Sequence, residues 1–463
     1  MQTKNASFKM KKLNGDVLTP INVFLRLEGV KKFLLESSLK HNEQGRYSFI
    51  GVNPLMEIIG AGDQTKVISS DGVVIKEEKG LPLNILRTNL PELTLDLPFP
   101  FYGGAVGYVG YDAIRQYREI GVDLSDQIDM PDIHFMIYED VVVFDHLAQT
   151  IYLLAIDLDG KRSEAELEKR LEELEMQISR KETDESLFDC NIEFRPEMEK
   201  EEFVRRIAKA QEYVKSGELL QVVLSQRMIG HVDADPFHFY RVLRNSNPSP
   251  YMFFLDFGEH VVLGASPESF IKTNGRHAST NPIAGTRPRG ETVEEDEKLA
   301  TELLSDEKEL SEHRMLVDLS REEMSEVCMP DSIDVKRYMK IEQYRHVMHI
   351  VSEVEGELAE GQMGIDALIA CLPAGTVSGA PKTRAMQIIN ELEDVKRGVY
   401  GGAIGYVNAN GDIDFALAIR SLVIKEQQAY LQAGAGIVID SVPEREYMET
   451  VNKARALLSP GIK

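Results

Sequence analysis

The chain has 463 residues, with 52 Lys and Arg against 76 Asp and Glu, a formal net charge of −24. Such an excess of negative charge opposes nucleic acid and anionic membranes as partners, and any anionic ligand then requires a local reversal of sign. No apolar run of about 18 residues is present, and the N-terminal MQTKNASFKMKKLNGD lacks the apolar core of a secretory signal. The protein is therefore expected to be soluble and cytoplasmic. Cys190, Cys328 and Cys371 are scattered, odd in number and without Cys-x-x-Cys spacing, which excludes a disulfide scaffold and a structural zinc site.

In chain order, residues 14–155 read as an N-terminal mixed α/β region, with strand-like runs VVVFDHL (141–147) and IYLLAIDLD (151–159). Residues 160–192 are mostly charged, yet Leu167, Leu171, Leu174 and Ile178 recur at spacings of 4, 3 and 4. That stripe predicts a connecting helix. From 199 to 458 a second region alternates strand-like segments with long helical patterns, EEFVRRIAKAQEYVKSG, EKLATELLSDEKELSEHRMLVDL and SVPEREYMETVNKARALL. Gly and Pro cluster within it at 281–290, 373–381, 398–405 and 434–436, marking turns where backbone N–H groups can approach a ligand. YGGAVGYV (102–109) returns as YGGAIGYV (400–407); glycines in a strand pattern suggest close backbone approach, and two sheets are expected to carry one copy each near a shared centre.

Two acidic helices carry the first chemical signal. Glu309 and Glu312 are three residues apart, as are Glu446 and Glu449, so each pair shares a helix face. Facing each other, such helices would offer an all-oxygen site for Mg2+; apart, the same glutamates are ordinary solvated surface. A di-iron site would need Glu-x-x-His on two helices, but Leu310 stands three before His313 and the second helix has no histidine. GTVSGAPKT (375–383) fails the P-loop spacing and GAGIVID (434–440) lacks the third glycine of a dinucleotide loop. Both segments read as loops able to present backbone donors to carboxylates. Arg287, Arg289, Lys382, Arg420 and Lys453 bring positive charge nearby. Arg420 interrupts IDFALAIRSLVI, so it either points to solvent or is a buried charge gripping an anion.

Taken together, NPSPYMFFLDFG (247–258), GASPESF (264–270), NPIAGTRPRG (281–290), ELSEHRMLVDL (309–319), VMHIVSEVEGEL (347–358), LPAGTVSGAPKTRAM (372–386), YGGAIGY (400–406) and QAGAGIVIDSVPEREYMET (432–450) resemble the chorismate-utilising enzymes. In order and content they are most similar to anthranilate synthase large subunits. The resemblance implies an α+β fold of two large antiparallel sheets packed orthogonally with helices outside. It also implies Mg2+-dependent conversion of chorismate and ammonia to anthranilate and pyruvate, the first committed step towards tryptophan.

By that resemblance Glu312 and Glu449 are direct Mg2+ ligands, with Glu309 and Glu446 nearby. Glu268 is the general acid for the leaving 4-hydroxyl, and His349 serves proton transfer or leaving-group stabilisation in pyruvate elimination. Gln221 stands where water-adding relatives carry a basic lysine; an amide cannot be that base. Ala284 replaces the nucleophilic lysine usual in aminodeoxychorismate synthases. Gly285, Thr286, Tyr400, Arg420, Gly434, Ala435 and Gly436 resemble the substrate-binding set.

LLESS (34–38), which includes Ser37, and GRYSFIG (45–51) resemble the family's tryptophan-sensing segment, with Pro250, Tyr251 and Met252 as partners; otherwise Ser37 and Ser38 merely end a helix. A separate glutamine amidotransferase subunit is implied as ammonia source, in a heteromer of which dimers form. Where the family has Asn-Asp after Asp-Leu-x-Arg, this chain has Glu322-Glu323, which puts the local hydrogen bonding of the metal helix in question. The alternatives are an aminodeoxychorismate synthase component and a catalytically silent amino-acid-binding regulator of the same fold.

Overall fold

Strands Gly104–Val109 and Ile133–Tyr138 are buried at every position, so each must be covered on both faces. Period-2 alternation divides their side chains between two cores: Ala105, Val109, Phe135 and Ile137 pack outwards among helices, while Val106, Tyr108, Met136 and Tyr138 pack inwards against a second sheet. The computed structural model describes residues 7–37, 45–180, 192–344 and 347–458. Ser38, Cys190 and the connector's residues 181–191 lie outside the described residues.

Two twelve-stranded sheets form the body, and every pairing between named strands is antiparallel. In the first sheet, strands run outwards from the central pair Phe33–Glu36 and Tyr251–Asp256. One wing contains Tyr47–Gly51, Asp140–Asp145, Thr150–Ile156 and Phe8–Asn14; the other contains His260–Ser266, Ser421–Lys425, Gln428–Ile437 and Gln221–His231. The second sheet is centred on Gly104–Val109 paired with Ala403–Asn408. Its wings run through Ile133–Tyr138 to Val74–Lys79 on one side, and through Ile413–Leu417 to Val347–Glu357 and Ile283–Pro288 on the other. The wings therefore mirror one another in chain order, and both sheets run across the boundary between residues 14–155 and 199–458.

The glycine echo differs from expectation. Both copies lie in one sheet, directly paired, with Gly107 opposite Gly405 at the centre of the doubled architecture. Side chains there would overlap backbone: a Cβ at Gly107 meets the His134 carbonyl, and one at Gly405 meets that of Asp414. The close approach is thus to the flanking strands, Ile133–Tyr138 on one side and Ile413–Leu417 on the other, while the two glycine-bearing strands pair with each other where the two wings join.

The charged connector forms helix Glu164–Ile178, opened by a Ser163–Glu166 capping box. Its stripe of Leu167, Leu171, Leu174 and Ile178 is buried, packed on strands Phe8–Asn14 and Thr150–Ile156. It thus covers the outer face of the first sheet. No helix among the described residues is long and apolar enough to cross a membrane.

Candidate active site

A cavity of about 610 Å3 opens between the two sheets' second wings and two helices, Glu307–Ser325 and Pro443–Leu458. Gln221, Glu268, Gly285, Thr286, His349, Tyr400, Arg420, Gly434 and Gly436 all line it, as do Glu309, Glu312, Glu446 and Glu449. Residues spread over more than two hundred positions thus converge on one space.

Glu268 follows strand His260–Ser266 and is nearly fully buried. Loss of water raises its carboxyl to about 8, against opposing effects from Thr376, whose hydroxyl donates to it at 3.0 Å, and from Arg420. A carboxylic acid held protonated near neutrality can give up a proton. Arg420 occupies a left-handed backbone conformation, φ 50°, at the break between strands Ile413–Leu417 and Ser421–Lys425. Such strain in a non-glycine residue is maintained where the surrounding structure holds it, and here it turns the guanidinium into the cavity. Sequence alone left its direction open.

His349 lies on strand Val347–Glu357 beside a β-bulge in strand Ile283–Pro288, where the pairing shifts between Ala284 and Thr286. Gly285 takes φ 67° at that bulge, a conformation costly for a side chain. Its carbonyl lies 3.0 Å from His349 Nδ1, with the Thr286 hydroxyl also at 3.0 Å. A ring nitrogen facing a carbonyl must carry the proton, which leaves Nε2 as acceptor. Burial lowers the imidazole pKa and favours this neutral form.

Helix Glu307–Ser325 is started by Asp306, whose carboxylate accepts from the Lys308 and Glu309 amides. Burial raises the Glu312 carboxyl, and Glu309 and Glu449 raise it further by repulsion. Glu446 is likewise raised by burial and by Glu449. Carboxylates from two helices thus share a field that a cation would relieve. Among the described residues, the trio whose carboxylate oxygens lie within 4.8 Å of one another is Glu139, Asp157 and Asp159, outside this cavity. The cavity glutamates are more widely set, which suits a hard cation that keeps several waters and shares ligands with an anion.

Gln221 joins helix Glu307–Ser325 to the sheet: its Nε2 donates to Glu312 Oε1 at 3.0 Å. The two glycines at 434 and 436 make room for neighbours. A Cβ at Gly434 would lie 2.6 Å from the Tyr400 hydroxyl, and one at Gly436 would overlap Gln221 Nε2.

A family profile described as chorismate binding enzyme matches residues 31–459. The chain is 45% identical to anthranilate synthase component 1 of Lactococcus lactis subsp. lactis (strain IL1403), over 98% of this chain and 99% of that protein. It belongs to the chorismate-binding enzyme family. Among solved structures, anthranilate synthase component I from Streptococcus pneumoniae TIGR4 superposes with a TM-score of 0.83 at 42% identity, covering 96% of this chain and 98% of that one. The menaquinone-specific isochorismate synthase of Escherichia coli, at 19% identity and a TM-score of 0.72 over 98% of this chain and 95% of that one, shares the fold. The two-sheet α+β architecture expected from the motifs is thus the architecture of this chorismate-binding chain.

Several expectations about individual residues need correction. The 434–436 segment is no loop but part of strand Gln428–Ile437, paired with Gln221–His231. The neighbouring strand ends opposite Leu431, so the stretch beyond it keeps one edge towards the cavity. Ala435 does not line the cavity; alternation sends its side chain into the outer core. Of the five cations singled out, only Arg420 and Lys453 line the space. Arg287 pairs with Glu302, Asp306 and Glu309, and Arg289 with Asp296. Lys382 is buried against Glu323 at 2.8 Å and the Cys371 carbonyl at 2.7 Å. That last pair answers the question raised by Glu322-Glu323: the helix runs through unbroken, with Glu322 exposed and Glu323 neutralised.

Pro250, Tyr251, Met252 and Ser37 lie apart from the cavity lining. Strand pairing brings their segments together, Met252 opposite Glu36. Glu36 is held by the Tyr240 hydroxyl at 2.7 Å and by Arg244, and the Tyr251 hydroxyl donates to Asp414 and accepts from the Ser269 hydroxyl. Sequence reasoning passed over Thr376 as a partner of Glu268, Gln432 and Lys308, although Thr376 stands within a motif it quoted.

Proposed function

We propose that this chain is the chorismate-converting component of an anthranilate synthase, forming anthranilate and pyruvate from chorismate and ammonia with Mg2+. The convergence of Glu268, His349 and two glutamate pairs in one cavity is the observation that carries the reading. Arg420, Tyr400 and Lys453 receive the carboxylates of the substrate. Glu312 and Glu449, with Glu309 and Glu446 beside them, would hold Mg2+, which when bound would supply Lewis-acid withdrawal of electron density through the ring carboxylate.

Ammonia adds at C2 while Glu268 passes its proton to the 4-hydroxyl, which departs as water. The nitrogen, an ammonium once added, returns its surplus proton to Glu268. His349, neutral with Nε2 free to accept, then takes the C2 proton as the C3–O bond breaks, and the departing enolpyruvate takes up that proton to become pyruvate while the ring becomes aromatic. Gln221 has no basicity with which to activate water, and Ala284 has no nucleophile for a covalent intermediate. These two positions favour anthranilate over isochorismate or aminodeoxychorismate, and retention of Glu268, Glu312, His349 and Glu449 together disfavours a silent regulator.

Ammonia comes from a glutamine amidotransferase component, in a cytoplasmic heteromer. Cys328 and Cys371 are buried, and burial raises their thiols, Cys328 to about 11; neither is the thiolate that glutamine hydrolysis needs. Tryptophan inhibits by binding where Ser37 and Pro250–Met252 meet. The decisive experiment mixes the purified chain with chorismate, Mg2+ and an ammonium salt at alkaline pH and follows anthranilate fluorescence. Absence of the fluorescent product, or its appearance only after a lyase is added, refutes the reading.

A further inference from the structure

Glu393 and Arg397 form an ion pair that none of these steps employs. Arg397 is 3% exposed and Glu393 8%. The guanidinium donates to the carboxylate through Nε at 2.8 Å and through one Nη at 2.6 Å. Its remaining reach goes to two carbonyls in different walls of the cavity, Val377 at 2.6 Å and Val223 at 2.8 Å. Its Cζ lies 5.7 Å from the Tyr400 ring centroid and 4.7 Å from that of Tyr111. Glu393 in turn accepts from the Ser225 amide and hydroxyl, both at 2.9 Å.

Burying two charges is costly unless each is paired and its remaining donors are satisfied. Here the donors are spent on the turn Gly375–Val377, on strand Gln221–His231 and against Tyr400. We propose that Arg397, fixed by Glu393, is a positioning residue of the active site, holding the Thr376 turn, the Gln221 strand and the Tyr400 ring in one frame. It reaches the chemistry through Val377, whose neighbour Thr376 donates to Glu268. This rests on the anthranilate-forming reading above.

The test is Arg397→Lys. An ammonium is a point charge without the planar fork, so it cannot serve Glu393 and two divergent carbonyls together. Activity is measured as anthranilate fluorescence against pH, with free ammonia held constant. If Thr376 is released, the Glu268 carboxylate loses a donor and stays protonated to higher pH. The alkaline limb of kcat then moves up by about half a unit or more, with kcat at least about tenfold lower. The ionisable groups facing Glu268, namely Arg420 and Tyr344 and, across the cavity, His349, Tyr400, Lys308, Lys453, Glu309, Glu312, Glu446 and Glu449, are all retained in the substitution.

Thr376→Val moves the limb the same way, and the double variant moves it no further. A folded R397K with the limb and kcat of the parent, reduced only in melting temperature, overturns the proposal, as does a displacement that adds to that of T376V. Should R397K not fold, the isosteric Glu393→Gln is read instead: an upward limb supports the proposal and an unmoved one overturns it. The parent enzyme is the control, since its failure to form anthranilate would refute the function rather than the role of Arg397.

Discussion

Glu268→Gln tests the proposed acid most directly, because the same burial that readies the group for catalysis leaves a mark on stability. In the folded chain the carboxyl lies at about 8, against 4.5 for an ordinary glutamate. At about 1.4 kcal/mol per unit, that displacement corresponds to roughly 5 kcal/mol. The sign follows from proton counting: between the two values the native state holds the proton and the unfolded chain does not, so stability is present at low pH and is lost as pH rises through the folded value. Integrated from pH 6 to pH 9, the loss is about 3 kcal/mol. For a chain of this length the unfolding entropy is near 1 kcal/mol per degree, giving a fall of about 3 °C in melting temperature from this group alone.

The neutral amide of E268Q has no such dependence. Its melting curve is expected to lie flatter than the parent's across that window by about 3 °C, while kcat for anthranilate formation falls by 10²–10⁴, the range of positioned general acids. Calorimetry at both pH values and fluorescence kinetics check the two halves. A variant that keeps more than a tenth of kcat, or whose melting temperature follows the parent's slope, would refute the assignment of Glu268 as a buried, protonated acid.

Gly436→Ala drives a methyl group into Gln221 Nε2 and displaces the amide from Glu312; steady-state kinetics should show kcat reduced by about tenfold or more, with melting temperature nearly unchanged. Glu323→Ala leaves the Lys382 ammonium buried without its partner, a change that costs about 3–5 kcal/mol and lowers the melting temperature by a similar number of degrees. Glu323→Asp, which retains the charge, should lose much less. Ser37→Phe adds bulk next to Glu36, the residue paired with Met252, and by the proposed inhibition should raise the inhibition constant for tryptophan without altering kcat; an unchanged constant would place the inhibitor elsewhere.

The parts of this architecture that depend on near neighbours in sequence were legible. The spacing of Leu167, Leu171, Leu174 and Ile178 fixes a buried helix stripe, and the three-residue interval in Glu309/Glu312 and Glu446/Glu449 places each pair on one face. What was not legible depends on partners far along the chain. GAGIVID reads as a loop because glycine weakens a strand locally, yet its glycines are there to clear Tyr400 and Gln221, and only the pairing with residues 221–231 makes it a strand. Lys382 sits in a glycine-rich motif beside the site, but Glu323, 59 residues earlier, claims its charge. Thr376 is invisible as a partner of Glu268 for the same reason, at a separation of 108 residues. The paired echo shows the converse: an eight-residue likeness was plain, while its meaning as the seam of two mirrored wings required the register.

The remaining problem is electrostatic. A dianionic substrate must enter a chain of net charge −24, and the cavity lining alone does not reverse the sign: Lys308, Arg420 and Lys453 face Glu309, Glu312, Glu446 and Glu449. Three cations against four carboxylates leave the space slightly negative even with Glu268 protonated and His349 neutral. Lys453 is moreover engaged by Glu449 at 2.7 Å and by the Gly434 carbonyl at 3.0 Å. One divalent cation among the glutamates tips the balance to positive, so metal and substrate should bind with mutual dependence rather than at independent sites. Chorismate affinity, measured calorimetrically without ammonia, is expected to weaken at least about a hundredfold when Mg2+ is chelated, and Mg2+ is expected to raise the melting temperature of the parent but not of Glu312→Gln/Glu449→Gln. In metal-free buffer that double variant should melt above the parent, since two mutually repelling carboxylates have been made neutral. Equal chorismate affinity with and without the ion would show that Arg420 and Lys453 suffice, and that the glutamate pairs serve something other than substrate capture.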